Sequence, residues 1–359
     1  TSYHIIVSAP TGAGKTVIFE MAMARFITVD LQHTGKQRIS KNRKMVYIAP
    51  SRALCEERYQ DWTKRLEALK IGIEVRMITG DAEDPSACYH NLSSAHLILT
   101  TPEKWDSISR KWTENFFLLA SVKLVMIDEV HLLGDETRGH SLEAITTRSK
   151  SIQRAARHVN ATQAQIDGSS YPHTTPEAMS SSLRTVAVSA TLPNITDVAE
   201  FLGANEAYSF DGSFRPVPLT KHVTGCGFLG KNEFQFWNHL NDQVPEIINR
   251  FSAGKQTLVF CHTKSETERL CATLITNKLG NKKPLNTTAA PGTVDHCLCN
   301  GVAYHHAGLL PADKNRIEQA FATGQIRCLC ATSTLAVGVN LPAHLVIVKG
   351  TRVWRGGAS

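Results

Sequence analysis

Short apolar runs alternate with amphipathic stretches along the first half of the chain. Strand-like segments fall at 4–9, 45–49, 74–78, 97–100, 123–128 and 185–189, with helix-spaced patterns at 16–27, 53–69 and 141–157. A second series follows: strands at 257–261, 302–304, 327–331 and 345–348, and helices near 233–251, 265–277 and 312–322. Continuous apolar strands separated by helices predict a parallel sheet covered on both faces, an α/β architecture. Gly203, Gly212, Pro216 and Pro218 cluster between the two series and predict a boundary there, dividing the chain into domains 1–210 and 211–359. Residues 33–44, basic and polar, and 160–182, rich in Ser, Thr, Gln and Pro, are expected to be surface insertions, the second disordered; 282–291 is a weaker third.

Composition narrows the class. The 359 residues suffice for two cores without disulfide or metal staples. With 39 Lys and Arg against 32 Asp and Glu, the net charge of +7 suits a polyanionic partner without demanding one. No apolar run approaches the roughly 18–20 residues of a membrane span. An odd count of nine scattered Cys points to a reducing compartment. Collagen, coiled-coil, disordered and disulfide-rich secreted classes are excluded. The chain opens on Thr1 without an initiating Met and is expected to be a fragment.

Four segments carry candidate chemistry. Ala9-Pro10-Thr11-Gly12-Ala13-Gly14-Lys15-Thr16 lies between a strand and a helix, the context of a phosphate-binding loop. Gly12 and Gly14 let backbone N–H groups approach phosphate oxygens, the helix adds its positive dipole end, Lys15 supplies a point charge and Thr16 a hydroxyl for Mg²⁺. Ala9 stands where the general pattern has Gly, and a Gly-rich turn before an ordinary helix is the bland alternative. The segment 123–131 is a buried strand ending in Asp128 and Glu129; Asp128 is placed to hold Mg²⁺ and Glu129 to polarise an attacking water. An acidic pair ending a strand is common, and it gains weight from the phosphate loop on the same sheet, where both emerge at the carboxyl edge. Pro50-Ser51-Arg52-Ala53-Leu54 and Thr101-Pro102-Glu103-Lys104 each follow a strand and open a helix. They suit either polymer phosphates or plain helix caps.

Metal binding has less support. His296-Cys297-Leu298-Cys299, His305-His306 and Cys328-Leu329-Cys330 bring ligand types together, but C-x-C is not zinc-ladder spacing. Alternating Cys in an apolar strand reads as small core side chains, so no zinc is expected. Cys261 lacks an evident partner base for nucleophilic chemistry.

Taken in order, these segments resemble the Ski-like helicases of superfamily 2. APTGAGKT (9–16) is similar to motif I, APSRAL (49–54) to Ia, TPEKWD (101–106) to Ib, DEVH (128–131) to II and SATLPN (189–194) to III. LVFCHTK (258–264) resembles motif IV; YHHAGL (304–309) and ATSTLAVGVNLPAH (331–344) resemble the segments up to motif V. Within that group, Ala53-Leu54-Cys55 with Arg58, Asp61-Trp62, the run 101–112 and Lys349-Gly350-Thr351 resemble the meiotic crossover DNA helicases, the Mer/Hfm type.

The resemblance implies two tandem RecA-like domains with parallel sheets, the second truncated, and a nucleotide held between them. It places Thr11, Gly12, Ala13, Gly14, Lys15, Thr16, Asp128, Gly338 and Asn340 on ATP, with Thr16 and Asp128 on Mg²⁺. Glu129 would be the catalytic base, assisted by Asp128 and Lys15. His131, Ser189 and Thr191 would couple hydrolysis to domain movement, and Arg52, Thr101, Thr332 and Thr334 would lie along the nucleic acid. DNA is favoured over RNA, movement 3′ to 5′, location nuclear, with no membrane partner.

The family's arginine motif, QxxGRAGR, has no counterpart; Arg352 and Arg355 lie outside such a context. Since such arginines are worth ~10³–10⁵ in rate in analogous enzymes, the 359 residues alone are expected to hydrolyse ATP poorly. The alternatives are an RNA helicase of the same group and a non-catalytic ATP-binding fragment. A small-molecule kinase would leave the second half unexplained.

Overall fold

A computed structural model of the chain describes residues 4–34, 39, 43–80, 92–166, 183–227, 232–280, 290–336 and 341–349. Two compact units emerge, Thr1–Lys221 and His222–Ser359.

In the first unit the strands are β1 (Ile5–Ser8), β2 (Lys44–Ile48), β3 (Val75–Ile78), β4 (Leu97–Thr100), β5 (Val122–Ile127), β6 (Arg184–Ser189) and β7 (Glu206–Ser209). All pair in parallel, in the order β3-β4-β2-β5-β6-β1-β7. Period-two alternation sends neighbouring residues to opposite faces. Met45, Tyr47, Leu124, Met126, Val186 and Val188 therefore join one core, and Val46, Ile48, Val125, Ile127 and Ala187 the other. Helices α1 (Lys15–Thr34) and α2 (Arg52–Glu67) cover the first face through Phe19, Met23, Trp62 and Leu66. The second face is covered by α3 (Pro102–Arg110), α4 (Phe116–Ala120), α5 (Gly139–Ile166) and α6 (Ile195–Leu202), with Trp105, Leu119, Ile145 and Leu202 at the contact.

The second unit holds α7 (Glu233–Phe251), β8 (Thr257–Cys261), α8 (Lys264–Thr276), α9 (Val294–Cys299), β9 (Val302–His305), α10 (Pro311–Ala322), β10 (Cys328–Thr332) and β11 (Leu345–Val348). Its parallel sheet runs β11-β8-β10-β9. Cys261, Cys271, Cys297, Cys328 and Cys330 all pack in one of its two cores. Burial pushes the Cys328 thiol up to about 11 and the Cys261 thiol to about 12, so both stay protonated at neutral pH.

Three expectations need correction. Lys44, assigned to a surface insertion, opens β2 at 3% exposure; its ammonium donates to the carbonyls of Ser93 (2.7 Å) and Ala95 (2.6 Å), so the charge is buried with hydrogen-bond partners. The polar segment expected from residue 160 is not irregular from its start, because α5 continues to Ile166; residues 167–182 and 281–289 lie outside the described residues. The edge strand β7 carries no apolar run (Glu-Ala-Tyr-Ser, mostly exposed) and was not among the predicted strands.

Candidate functional site

The carboxyl ends of β1, β5 and β6 are adjacent, and the chain leaving them carries, in sequence order, a first segment (9–16), a second (128–131) and a third (189–194). The β1/β6 ladder extends past the strands, the Ala9 N–H donating to the Ser189 carbonyl at 3.1 Å. The Asp128 N–H likewise donates to the Ile48 carbonyl at 2.9 Å. These backbone bonds fix where each loop departs.

The first loop turns through Gly12 (φ +83°) and Gly14 (φ +81°), left-handed conformations that side chains resist. No heavy atom lies within 4 Å of where a Cβ would stand at either glycine, so the surface beside both is open. Helix α1 starts at Lys15 with no acidic residue in its first turn to oppose an anion. The Lys15 ammonium donates to the Ala9 carbonyl at 3.2 Å, which holds the cation over its own loop. Thr11 is exposed; Ala13, Lys15 and Thr16 are half-buried. Backbone N–H groups, a lysine and a helix N-terminus are the groups from which phosphate-binding loops are built.

Asp128 follows β5. Its Oδ1 accepts from the Glu129 N–H (2.9 Å) and its Oδ2 from the Tyr47 hydroxyl (2.7 Å). Burial and the neighbouring Glu129 charge push its carboxyl up, against the Tyr47 bond and the Lys15 charge. Glu129 has φ +49°, a left-handed conformation uncommon outside glycine, with a strain of order 1–3 kcal/mol. Its Oε2 accepts from the Ala190 N–H at 3.3 Å and lies 3.2 Å from His131 Nδ1. Burial raises the Glu129 carboxyl, but the His131 bond, the Lys15 charge and Ala190 together bring it below its ordinary value. It is therefore ionised at neutral pH, as a base must be.

His131 Nδ1 also lies 3.1 Å from Ser189 Oγ, so the second and third segments meet through Glu129, His131, Ser189 and Ala190. Thr191 is exposed. Ser8, fully buried at the end of β1, donates from Oγ to the Ala190 carbonyl (3.1 Å) and accepts from the Leu192 N–H (2.9 Å). Sequence reasoning missed Ser8 and Tyr47; both read there as ordinary strand positions.

The remaining assigned residues lie on other elements. Arg52 is exposed at the first position of α2, while Ser51 caps that helix by accepting from the Leu54 N–H at 3.2 Å. Thr101 holds the N-cap position of α3 without a side-chain cap bond, leaving Pro102 as its first residue. Thr332 is buried at the end of β10, opposite Cys261. Thr334 lies in the short 3₁₀ turn Ser333–Ala336, and Gly338 and Asn340 lie outside the described residues. Among the described residues no group of three or more His, Cys, Asp or Glu could hold a metal ion, and no helix is long and apolar enough to cross a membrane. The Thr16 hydroxyl and Asp128 carboxylate are hard oxygen donors of the kind Mg²⁺ takes alongside phosphates.

Two parallel α/β units, one with a Gly-rich loop beside a carboxylate pair, agree with the sequence relationships. Residues 1–198 match the DEAD/DEAH box helicase family and residues 239–354 the helicase conserved C-terminal domain, so the chain belongs to the DEAD/DEAH box helicases. It is 38% identical over 358 residues to the ATP-dependent DNA helicase MER3 of Saccharomyces cerevisiae, covering 98% of this chain and 27% of the relative. The probable ATP-dependent DNA helicase HFM1 of Homo sapiens is 38% identical over 374 residues, 99% of this chain and 24% of the relative. Activating signal cointegrator 1 complex subunit 3 of Bos taurus is 36% identical, over 99% of this chain and 16% of that protein. The chain thus spans about a quarter of the length of MER3 and HFM1. Among solved structures, the DUF1998 helicase MrfA bound to DNA and AMPPNP aligns with a TM-score of 0.65 at 18% identity, over 97% of this chain and 42% of that one. That likeness concerns the fold: two parallel α/β units in tandem, as in RecA-like helicase cores.

Proposed function

We propose that the chain is the ATP-hydrolysing motor of a nuclear DNA helicase of the MER3/HFM1 kind, acting in meiotic recombination and moving 3′ to 5′. The observation that carries the hydrolytic part of this reading is the Glu129 carboxylate, held by the Ala190 N–H and His131 beside the Gly12–Gly14 loop, and the 38% identity to MER3 and HFM1 supports the rest. Lys15 and the loop N–H groups bind and orient the phosphates. Asp128 and Thr16 would hold Mg²⁺, which would supply positive charge to offset that of the phosphates. Glu129 orients a water and accepts its proton. Because the same Glu129 oxygen contacts Ala190, and Ser189 contacts His131, a change at the γ-phosphate is felt by the third segment. Arg52, exposed at the start of α2, and Thr101, at the N-cap of α3, contribute to gripping a phosphate backbone.

The test is DNA-stimulated ATP hydrolysis by the full-length protein that carries this chain. Glu129→Gln should lower kcat by about 10²–10⁴-fold while mant-ADP binding persists. Equal turnover in both proteins would remove Glu129 from the chemistry. Competition between matched DNA and RNA strands at one salt concentration decides the polymer; preference for RNA would replace DNA in this reading.

A further inference from the structure

Tyr47 lies in the middle of the first sheet, on β2 opposite Met126, and is fully buried. A buried tyrosine must find a partner for its hydroxyl, and this one donates to Asp128 Oδ2 at 2.7 Å, across 81 residues of sequence. Two aromatic rings pack against its own in T-shaped arrangements. Phe19 of α1 packs against it at a centroid distance of 5.4 Å and 77°, and Trp62 of α2 at 4.9 Å and 76°. Trp62 is in turn fixed, its indole N–H donating to Glu20 Oε1 (3.2 Å), and Arg65 grips the same carboxylate at 2.5 and 3.0 Å. The phenol therefore reaches Asp128 from a ring whose position is set by both helices.

Asp128 is held from two directions, Oδ2 by Tyr47 and Oδ1 by the Glu129 N–H. Each carboxylate oxygen has two acceptor sites, so one on each oxygen stays open, at an orientation the two donors define. Outer partners that orient a metal-binding side chain typically matter 10–100-fold for metal affinity.

We propose that Tyr47 is a positioning residue for the Asp128 carboxylate, aligning it to hold the Mg²⁺ that accompanies the nucleotide. The proposal rests on the reading of Asp128 given above. It also ties that carboxylate to the helix beginning at Arg52, since Trp62, on the same helix, fixes the Tyr47 ring.

The experiment uses the full-length protein as wild type, Tyr47→Phe, Asp128→Ala and the double variant. Phe keeps the ring and deletes only the hydroxyl. Mant-ADP affinity is titrated in Mg²⁺ and in EDTA, and Mg²⁺ is titrated into DNA-stimulated ATP hydrolysis. The ratio of the two affinities is independent of the fraction of protein folded, so it reads the site even where Tyr47→Phe lowers stability. Tyr47→Phe should leave affinity in EDTA within about twofold and raise the half-saturating Mg²⁺ on the order of tenfold. In the Asp128→Ala background it should leave the ratio of mant-ADP affinities in Mg²⁺ and in EDTA unchanged, the mark of a single coupled pair. Unchanged or tighter Mg²⁺ dependence, an equal loss in EDTA, or an undiminished effect in the Asp128→Ala background would overturn the proposal. A wild-type protein with no Mg²⁺ dependence would overturn the reading of Asp128 and this inference with it. A Mg²⁺-dependent wild type with an indifferent Tyr47→Phe would overturn this inference alone.

Discussion

In each unit one parallel strand is followed by a charged residue, Asp128 after β5 and Lys349 after β11, and the two dispose of that charge in opposite ways. In the first, Asp128 and Glu129 are half-buried, held by single N–H and O–H donors, and Glu129 keeps a strained backbone. In the second, Lys349 follows β11 and is buried against Glu266 at the start of α8, with Asn241 of α7 as a third partner. Glu266 also completes the capping box of α8, its Oε2 accepting from the Thr263 N–H at 3.4 Å, and takes a further bond from the His262 N–H at 2.6 Å. One edge keeps carboxylate charge accessible for chemistry; the other neutralises its charges against each other and uses them to tie a strand to two helices. Parallel α/β topology is common to both, so topology alone does not make a reactive edge.

The largest effect expected from this contrast is at Lys349. Lys349→Met leaves Glu266 buried without its cation, a loss of about 3–5 kcal/mol. In the full-length protein, hydrogen exchange should show β8 and β11 losing protection while β1 and β6 keep theirs. Adding Glu266→Gln removes the stranded charge, keeps an oxygen for the His262 N–H, and should restore much of the protection. Equal loss in both sheets would break the comparison, because the pair would then not be local to its unit.

The same contrast explains what could be read beforehand. The inner strands were visible because each is a run of four to six residues dominated by apolar side chains buried on both faces. β7 escaped because an edge strand with exposed Tyr208 and Ser209 has no such run. Helix α1 outran its predicted end at 27 because Asp30, which reads as a surface residue, is fully buried 3.4 Å from Arg43. Of the proposed site, Gly12, Gly14, Asp128 and Glu129 stand out in the sequence because phosphate approach and water activation would call for those residue types. Tyr47 and Ser8 were not: each acts over a long sequence separation, 81 residues to Asp128 and 182 to Ala190, and nothing local distinguishes either from its neighbours.

Ser8 offers the mirror-image experiment. Ser8→Ala strands the Leu192 N–H and removes a donor from Ala190, a cost of about 1–3 kcal/mol. Protection should fall around β1, β6 and the 189–192 segment, and β8 and β10 should be untouched. Protection unchanged at Leu192 would mean that water replaces the hydroxyl and that Ser8 does not hold the third segment.

The smallest effect sharpens the comparison through pH. His4, just before β1, accepts from the Thr185 N–H on Nδ1 at 3.0 Å, a bond that needs that nitrogen unprotonated. Burial, with the charges of Lys150 and Arg184, lowers its pKa below the ordinary 6.5. As pH falls through about 6.5, the unfolded chain takes up the proton before the folded one, so stability declines until the folded-state pKa is passed and then levels off. Above 6.5 this residue contributes no pH dependence. One proton sets a ceiling of about 1.4 kcal/mol per pH unit, and the half-exposed ring, screened by solvent, should fall well below it. In the second unit burial also lowers His305, but Glu318, 3.0 Å from its Nε2, opposes the shift. Exchange at the Thr185 amide, corrected for its intrinsic pH dependence, should therefore accelerate between pH 7 and 5, more than at the strand amides of β9. His4→Gln should flatten that response; an acid response that survives the substitution would assign it to carboxylates instead.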